Sequence, residues 1–145
     1  MPLIIAALVL SAGHHLDHIV RGNHVGWPVI AEVNAFSASL VIYPLILGGL
    51  ALSLSGRMGP GGWAFLSGGG ALFLAAIHFG PWAAEPPGDI IGMYDPPVLG
   101  WLAFGWLLGL VFVLLVSTLY ELRLWRGDRT AAADSGGPHR PEYSK

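Results

Sequence analysis

The chain has no cysteine. Disulfides, thiolate metal sites, thiol nucleophiles and c-type haem attachment are therefore excluded. Charge is scarce as well. Only 11% of the 145 residues are Asp, Glu, Lys or Arg, against about 25% in soluble domains. Lysine occurs once, at Lys145, and no internal repeat is present. So little charge leaves too little polar surface to wrap a soluble core, and no nucleic-acid partner is expected.

What fills the gap is apolar. Hydrophobic residues make up 54% of the chain, with a mean hydropathy of +0.62. Four segments stand out, at about 3–20, 35–54, 63–79 and 98–119. Each approaches the ~20 residues needed to cross a bilayer, the first and third falling short. Backbone groups in lipid have no water partner, so these segments must be helices. The expected fold class is all-α, an integral membrane four-helix bundle over 1–122. The remainder, 123–145, reads as a basic anchor and a cytoplasmic tail, disordered from about Thr130.

Basic residues set the expected orientation. Arg57 lies in the 55–62 turn, and Arg123, Arg126, Arg129, Arg140 and Lys145 lie in the tail, whereas the other side holds Arg21 alone. Both termini should then be cytoplasmic, with loops 21–34 and 80–97 outside a plasma membrane of bacterial type. A cleaved leader is the competing reading of the first segment. Leu3–Leu10 would be its apolar core and Ser11-Ala12-Gly13 its cleavage site, leaving His14 as a new N-terminus. The absence of a basic residue near Met1 argues against it.

The chemistry concentrates at the end of the first span. The stretch reads Gly13-His14-His15-Leu16-Asp17-His18-Ile19-Val20-Arg21-Gly22-Asn23, followed by His24. Ionisable groups at the edge of a hydrocarbon layer persist where they pair, bind an ion or line a wet cavity. His14, Asp17, His18 and Arg21 recur at i, i+3, i+4 and i+7, which is one helix face. His15 is turned about 100° away but stands i, i+3 from His18. His78 closes the third span on the same side, so five of the six histidines share one end.

Two histidines at i, i+4 can aim both rings at one ion, and nitrogen and oxygen donors suit Zn, Fe or Cu. The expected site is His14 and His18, with Asp17 ligating or orienting a ring and His78 or His24 completing the set. His15, Arg21, Glu32, Glu85, Asp89 and Asp95 are the candidates for a surrounding shell or lid. The spacing alone is unspecific, because no Glu stands between the two histidines as a zinc-protease motif requires. The plain alternative is a hydrogen-bonded cluster, with Asp17 paired to Arg21 and histidines capping carbonyls. Haem b between His14 or His18 and His78 is a further alternative, with the glycines at 68–70 admitting a flat ring or simply letting helices approach. A small transporter is another, although the inner half offers few polar groups beyond serines, Thr118 and Glu121.

The outer loops carry the rest. Loop 80–97, with two Pro-Pro pairs and Trp82, Ile90, Ile91, Met93 and Tyr94, reads as a lid or an interfacial anchor. Glu85 and Asp89 within it are expected to be solvated carboxylates. Glu32 is expected to be solvated or to pair with Arg21. Asn34 suits the N-cap of the second helix, and Trp27 an interfacial anchor. Gly105-x-x-x-Gly109 reads as close packing inside the bundle, or else as a dimer face. Trp101 and Trp106 read as lipid or core contacts. Arg123, Trp125, Arg126 and Arg129 suit anionic headgroups on the inner side.

The histidine cluster resembles the histidine boxes of membrane di-iron desaturases and hydroxylases. Those proteins use several separated boxes, whereas one stands here, on the outer side, so no residue roles carry over. The reading is thus a small polytopic membrane protein with an outward His/carboxylate site for a transition metal. If catalytic, it would activate water or oxygen under the 80–97 loop. The competing class is a structural subunit of a membrane complex or a homo-oligomer, whose polar end makes protein contacts.

Overall fold

The computed structural model describes residues 1–22 and 30–135, and every regular element among them is a helix. The order is α1 (Pro2–Arg21), α2 (Ala35–Ser39), α3 (Ile42–Leu54), α4 (Pro60–His78), α5 (Pro87–Ile91) and α6 (Pro97–Ser135). Among the described residues, four stretches are long and apolar enough to cross a membrane: Pro2–Arg21, Ala35–Leu54, Pro60–His78 and Pro97–Ala133. The second of these joins α2 and α3.

Local sequence explains where helices start and stop. Pro2 and Pro60 sit in the first turns of α1 and α4, where a missing N–H costs nothing. Asn34 caps α2 as its position suggests. Its Oδ1 accepts from Ser37 N at 2.8 Å, and its own N–H donates to Ser37 Oγ at 2.9 Å. Gly56, at φ +70°, reverses the chain between α3 and α4, a conformation that favours glycine.

α6 runs as one helix past residue 119 and past Thr130 to Ser135. These last turns are rich in Leu, Arg and Ala, all strong helix formers. Arg129 also stacks on the Trp125 ring at 4.6 Å.

α6 is the spine. α4, α1 and α5 all pack on it. Leu107 and Leu110 are its buried apolar anchors. A Cβ on Gly68 would lie 3.3 Å from Thr118, and one on Gly70 would lie 3.6 Å from Leu114. These two glycines therefore serve helix approach. Trp106 donates from Nε1 to the Leu10 carbonyl at 2.8 Å and packs against Gly13. The Gly105/Gly109 pair does not pack inside the bundle, contrary to expectation: no described part of the chain stands within 4 Å of a Cβ at either position.

At the end away from the histidines, Ile4, Ile46 and Trp63 form a buried cluster with Leu8, Leu50 and Met58 around it. Large apolar side chains elsewhere point outward. Phe65 is 84% exposed and Leu72 74%. The helices thus bury polar groups at one end and present apolar ones around the girth.

Candidate metal centre

α1 brings its polar face inward at the last two turns. His14, His15, His18 and Arg21 are all buried. His78 meets them from the last turn of α4. His14, His18 and His78 each offer a ring nitrogen, and the three nitrogens lie within 4.8 Å of one another. The Nε2 atoms of His14 and His18 are 3.3 Å apart. Two M–N bonds of about 2.0–2.1 Å meeting at the tetrahedral angle require nitrogens about 3.3–3.4 Å apart. The separation matches one edge of a tetrahedral site, and it is also a hydrogen-bonding distance between the two rings.

The third ring is held ready. His78 Nδ1 donates to the Glu85 carbonyl at 2.9 Å, which leaves Nε2 with its lone pair. A ligating histidine is commonly fixed in this way, by a carbonyl on its other nitrogen. The Glu85 backbone is itself tied back, its N–H donating to the Ile77 carbonyl at 3.1 Å.

Glu85 overturns the expectation of a solvated carboxylate. Its side chain is fully buried, and it forms a salt bridge with Arg21 Nη1. Its Oε2 also lies 3.4 Å from His18 Nε2 and 3.5 Å from His78 Nδ1. A buried charge needs a partner, and Arg21 supplies it. Arg21 Nε donates to Asp17 Oδ2 at 2.8 Å, and Tyr94 donates from its hydroxyl to Asp17 Oδ1. Burial pushes the Tyr94 phenol up to about 12, and the hydrogen bond to Asp17 adds to the shift. Asp17 is thus committed to Arg21 and Tyr94 and stands outside the three-histidine group.

His15 belongs to a different set of contacts. His15 Nε2 stands 2.7 Å from Ser39 Oγ, which itself lies 2.6 Å from the Phe36 carbonyl. Nδ1 stands 2.9 Å from the Ser11 carbonyl, which accepts from the Nδ1–H form of the ring, and 2.8 Å from the Tyr43 hydroxyl. His15 therefore ties α1 to α2 and α3 and is neither ligand nor lid. Phe36 fills the space between, its ring centroid 5.6 Å from that of His15 and 5.5 Å from that of His18.

The other expected residues scatter. Glu32 and Asp95 are exposed and Asp89 is half-buried; none joins the histidine group. Arg21 pairs with Asp17 and Glu85 rather than with Glu32. His24 and Trp27 lie outside the described residues. Tyr94 was expected only as one residue of the lid or anchor loop, not as a partner of Asp17, and Tyr43 was given no part in the site; its only signal was a hydroxyl on an otherwise apolar stretch. Comparison with protein-family models, known proteins and solved structures finds no match.

Below the triad lies an elongated cavity of about 320 Å³. All three histidines line it at one end, and Ile4 and Trp63 line it at the other. From His18 down to Ile4 is fourteen residues of α1, about 21 Å of helix.

Proposed function

We propose that this chain is an integral membrane protein with a three-histidine site for a transition metal at its outward end. The observation that carries the reading is the meeting of His14, His18 and His78, from two helices, within 4.8 Å. The tetrahedral edge between His14 and His18 and the carbonyl lock on His78 support it. Three neutral imidazoles suit Zn, Fe or Cu, and three protein ligands leave a fourth position open, as in catalytic sites. The apolar girth supports membrane insertion, and the positions of Arg57, Arg123, Arg126 and Arg129 support cytoplasmic termini and contact with anionic headgroups.

The loop after α4 is the cover of this site. Glu85 reaches the histidines, Ile90 is buried, and Tyr94 bonds to Asp17. Haem fits less well. The His14 ring stands 4.7 Å from that of His18 and 5.1 Å from that of His78, centroid to centroid, in the space a porphyrin plane would occupy.

The test is elemental analysis with an optical spectrum on untagged protein purified in detergent, after metal and haem supplementation. The reading expects near-stoichiometric metal, no Soret band, and loss of the metal in His14→Ala and His78→Ala. A Soret band would move the assignment to haem. Background metal in the parent protein would leave the cluster as a hydrogen-bonded scaffold, as in a structural subunit or a transporter.

A further inference from the structure

The cavity under the triad has a lining that says what would fill it. Among the described residues, its polar side chains apart from the histidines are Ser11, Ser39, Ser67 and the indole of Trp63, which donates to Ser53, and no described carboxylate, lysine or arginine lines it. Ser39 and Ser67 already donate to the carbonyls of Phe36 and Trp63. Along most of its length the wall therefore offers dispersion contacts and no free hydrogen-bonding partner. The rim includes Val41, Leu45 and Phe65, which are 56%, 49% and 84% exposed. With the chain inserted in a bilayer, an opening edged by such residues, at the start of α3 and in the first half of α4, would face hydrocarbon rather than water.

We propose that this cavity takes a single-chain lipid whose head carries an oxygen donor, with the head at the three-histidine metal site and the chain running toward Trp63. The proposal rests on the metal reading for the head and on the cavity alone for the chain. Two features carry it together. The three histidines of the triad are part of the cavity wall, so a head bound to the metal and a chain lying in the cavity can belong to one ligand. The apolar length behind, about 21 Å, matches an extended chain better than a compact polar substrate. A cavity of this volume is in the range that holds small-molecule ligands. Entry is sideways from the bilayer, which fits a ligand dissolved in lipid. Both an alcohol and a fatty acid have the required chemistry.

The experiment uses the full chain in lipid nanodiscs, with metal content measured on the same sample. The probes are ω-bromododecanol, ω-bromododecanoate and, lacking the head, bromododecane. Bromine at the chain end quenches tryptophan fluorescence on contact, and among the described residues Trp63 is the tryptophan that lines the cavity. Gly69 lines it too, with open space around the Cβ position, so Gly69→Phe adds a ring at the cavity wall, nine residues of α4 away from His78. The expected result is saturable quenching by at least one headed probe, at least tenfold stronger than by bromododecane, lost in Trp63→Phe and in Gly69→Phe while metal content holds. Comparing the two headed probes identifies the head. Bound metal with no saturable quenching, or with quenching indifferent to Gly69→Phe, overturns the lipid site. Equal binding of headed and headless chains to the metal-loaded protein overturns the head contact. Saturable, Gly69-dependent quenching in protein that binds no metal upholds the cavity and overturns the metal reading.

Discussion

Arg21 is the residue whose loss should cost the fold most. Its side chain is 1% exposed and that of Glu85 is fully buried. Arg21 bonds Glu85 through Nη1 and Asp17 through Nε. Arg21→Met keeps the length and removes the charge, leaving a buried carboxylate and a partly buried one without their cation. Breaking a buried pair from one side costs about 3–5 kcal/mol, because the surviving charge stays desolvated. At roughly 2–4 °C per kcal/mol for chains near this size, the midpoint should fall by about 6–20 °C. Glu85→Gln is milder. Arg21 keeps Asp17, and the amide can still accept a hydrogen bond, so the loss should be about 1.5–3 kcal/mol, that of a hydrogen bond to a charged group. The double variant Arg21→Met/Glu85→Gln should therefore cost less than the sum of the singles, by about 1 kcal/mol or more, as contacting residues do. The assay is thermal unfolding by circular dichroism in detergent with chelator present, so that metal plays no part. An Arg21→Met midpoint within about 2 °C of the parent, or strict additivity in the double variant, would refute the claim that this pair holds α1 to the loop after α4.

Other outcomes follow from single contacts. Asp17→Asn should leave bound metal near the parent level, because Asp17 is engaged by Arg21 and Tyr94; loss of metal on elemental analysis would return it to the ligand set. Gly100→Ala should lower the midpoint and open loop 80–96 to limited proteolysis, since its Cβ would come within 2.2 Å of the Ile91 carbonyl oxygen and overpacking costs about 1–3 kcal/mol. Asn34→Ala should cost about 1 kcal/mol in the same melt through loss of the capping box on α2. Tyr94, held up to about 12 against an ordinary value near 10, contributes stability that is complete below pH 10 and lost as pH rises toward 12. Unfolding midpoints measured across that window should fall more steeply in the parent than in Tyr94→Phe; equal slopes would deny Tyr94 the role.

The helices were legible because their cause is local. Four apolar runs bounded by Gly, Pro and Asn mark their own ends, and the i, i+4 spacing of His14 and His18 needs only helix geometry. The C-terminal turns of α6 are less legible, because charge there reads as disorder although Leu122, Leu124 and the alanines at 131–133 keep helix propensity high. What the sequence hid is contact across elements. Glu85 lies in a Pro-rich loop and looks solvated. Its burial depends on Arg21, 64 residues earlier, and on the chain turning back so that its backbone meets Ile77 and His78. Gly105 and Gly109 mislead in the opposite direction. Their spacing predicts packing, but which face of α6 meets α1 and α4 is decided by Leu107, Leu110, Leu114 and Thr118.

The proton on His18 decides between a metal site and a hydrogen-bonded scaffold. Arg21 Nη2 faces His18 Nδ1 at 3.4 Å, and a guanidinium can only donate. Nδ1 must therefore accept, which puts the proton of the neutral ring on Nε2, against His14 Nε2 and Glu85 Oε2. In that state the scaffold is complete and the tetrahedral edge is bridged by hydrogen. A metal needs the Nε2 lone pair, so it must displace this proton. Moving it to Nδ1 would set N–H against N–H, and Arg21 must then yield. The surrounding charge favours the exchange. Asp17 and Glu85 outweigh Arg21 by one negative charge, so a divalent ion among neutral imidazoles leaves a site of net charge +1. Glu85→Gln raises that to +2 in a poorly solvated setting, where unit charges a few ångströms apart interact by about 4 kcal/mol at an effective dielectric of 20. Metal affinity measured by competition with a chromophoric chelator should drop at least tenfold in Glu85→Gln. An unchanged affinity would mean that the carboxylate serves the scaffold alone.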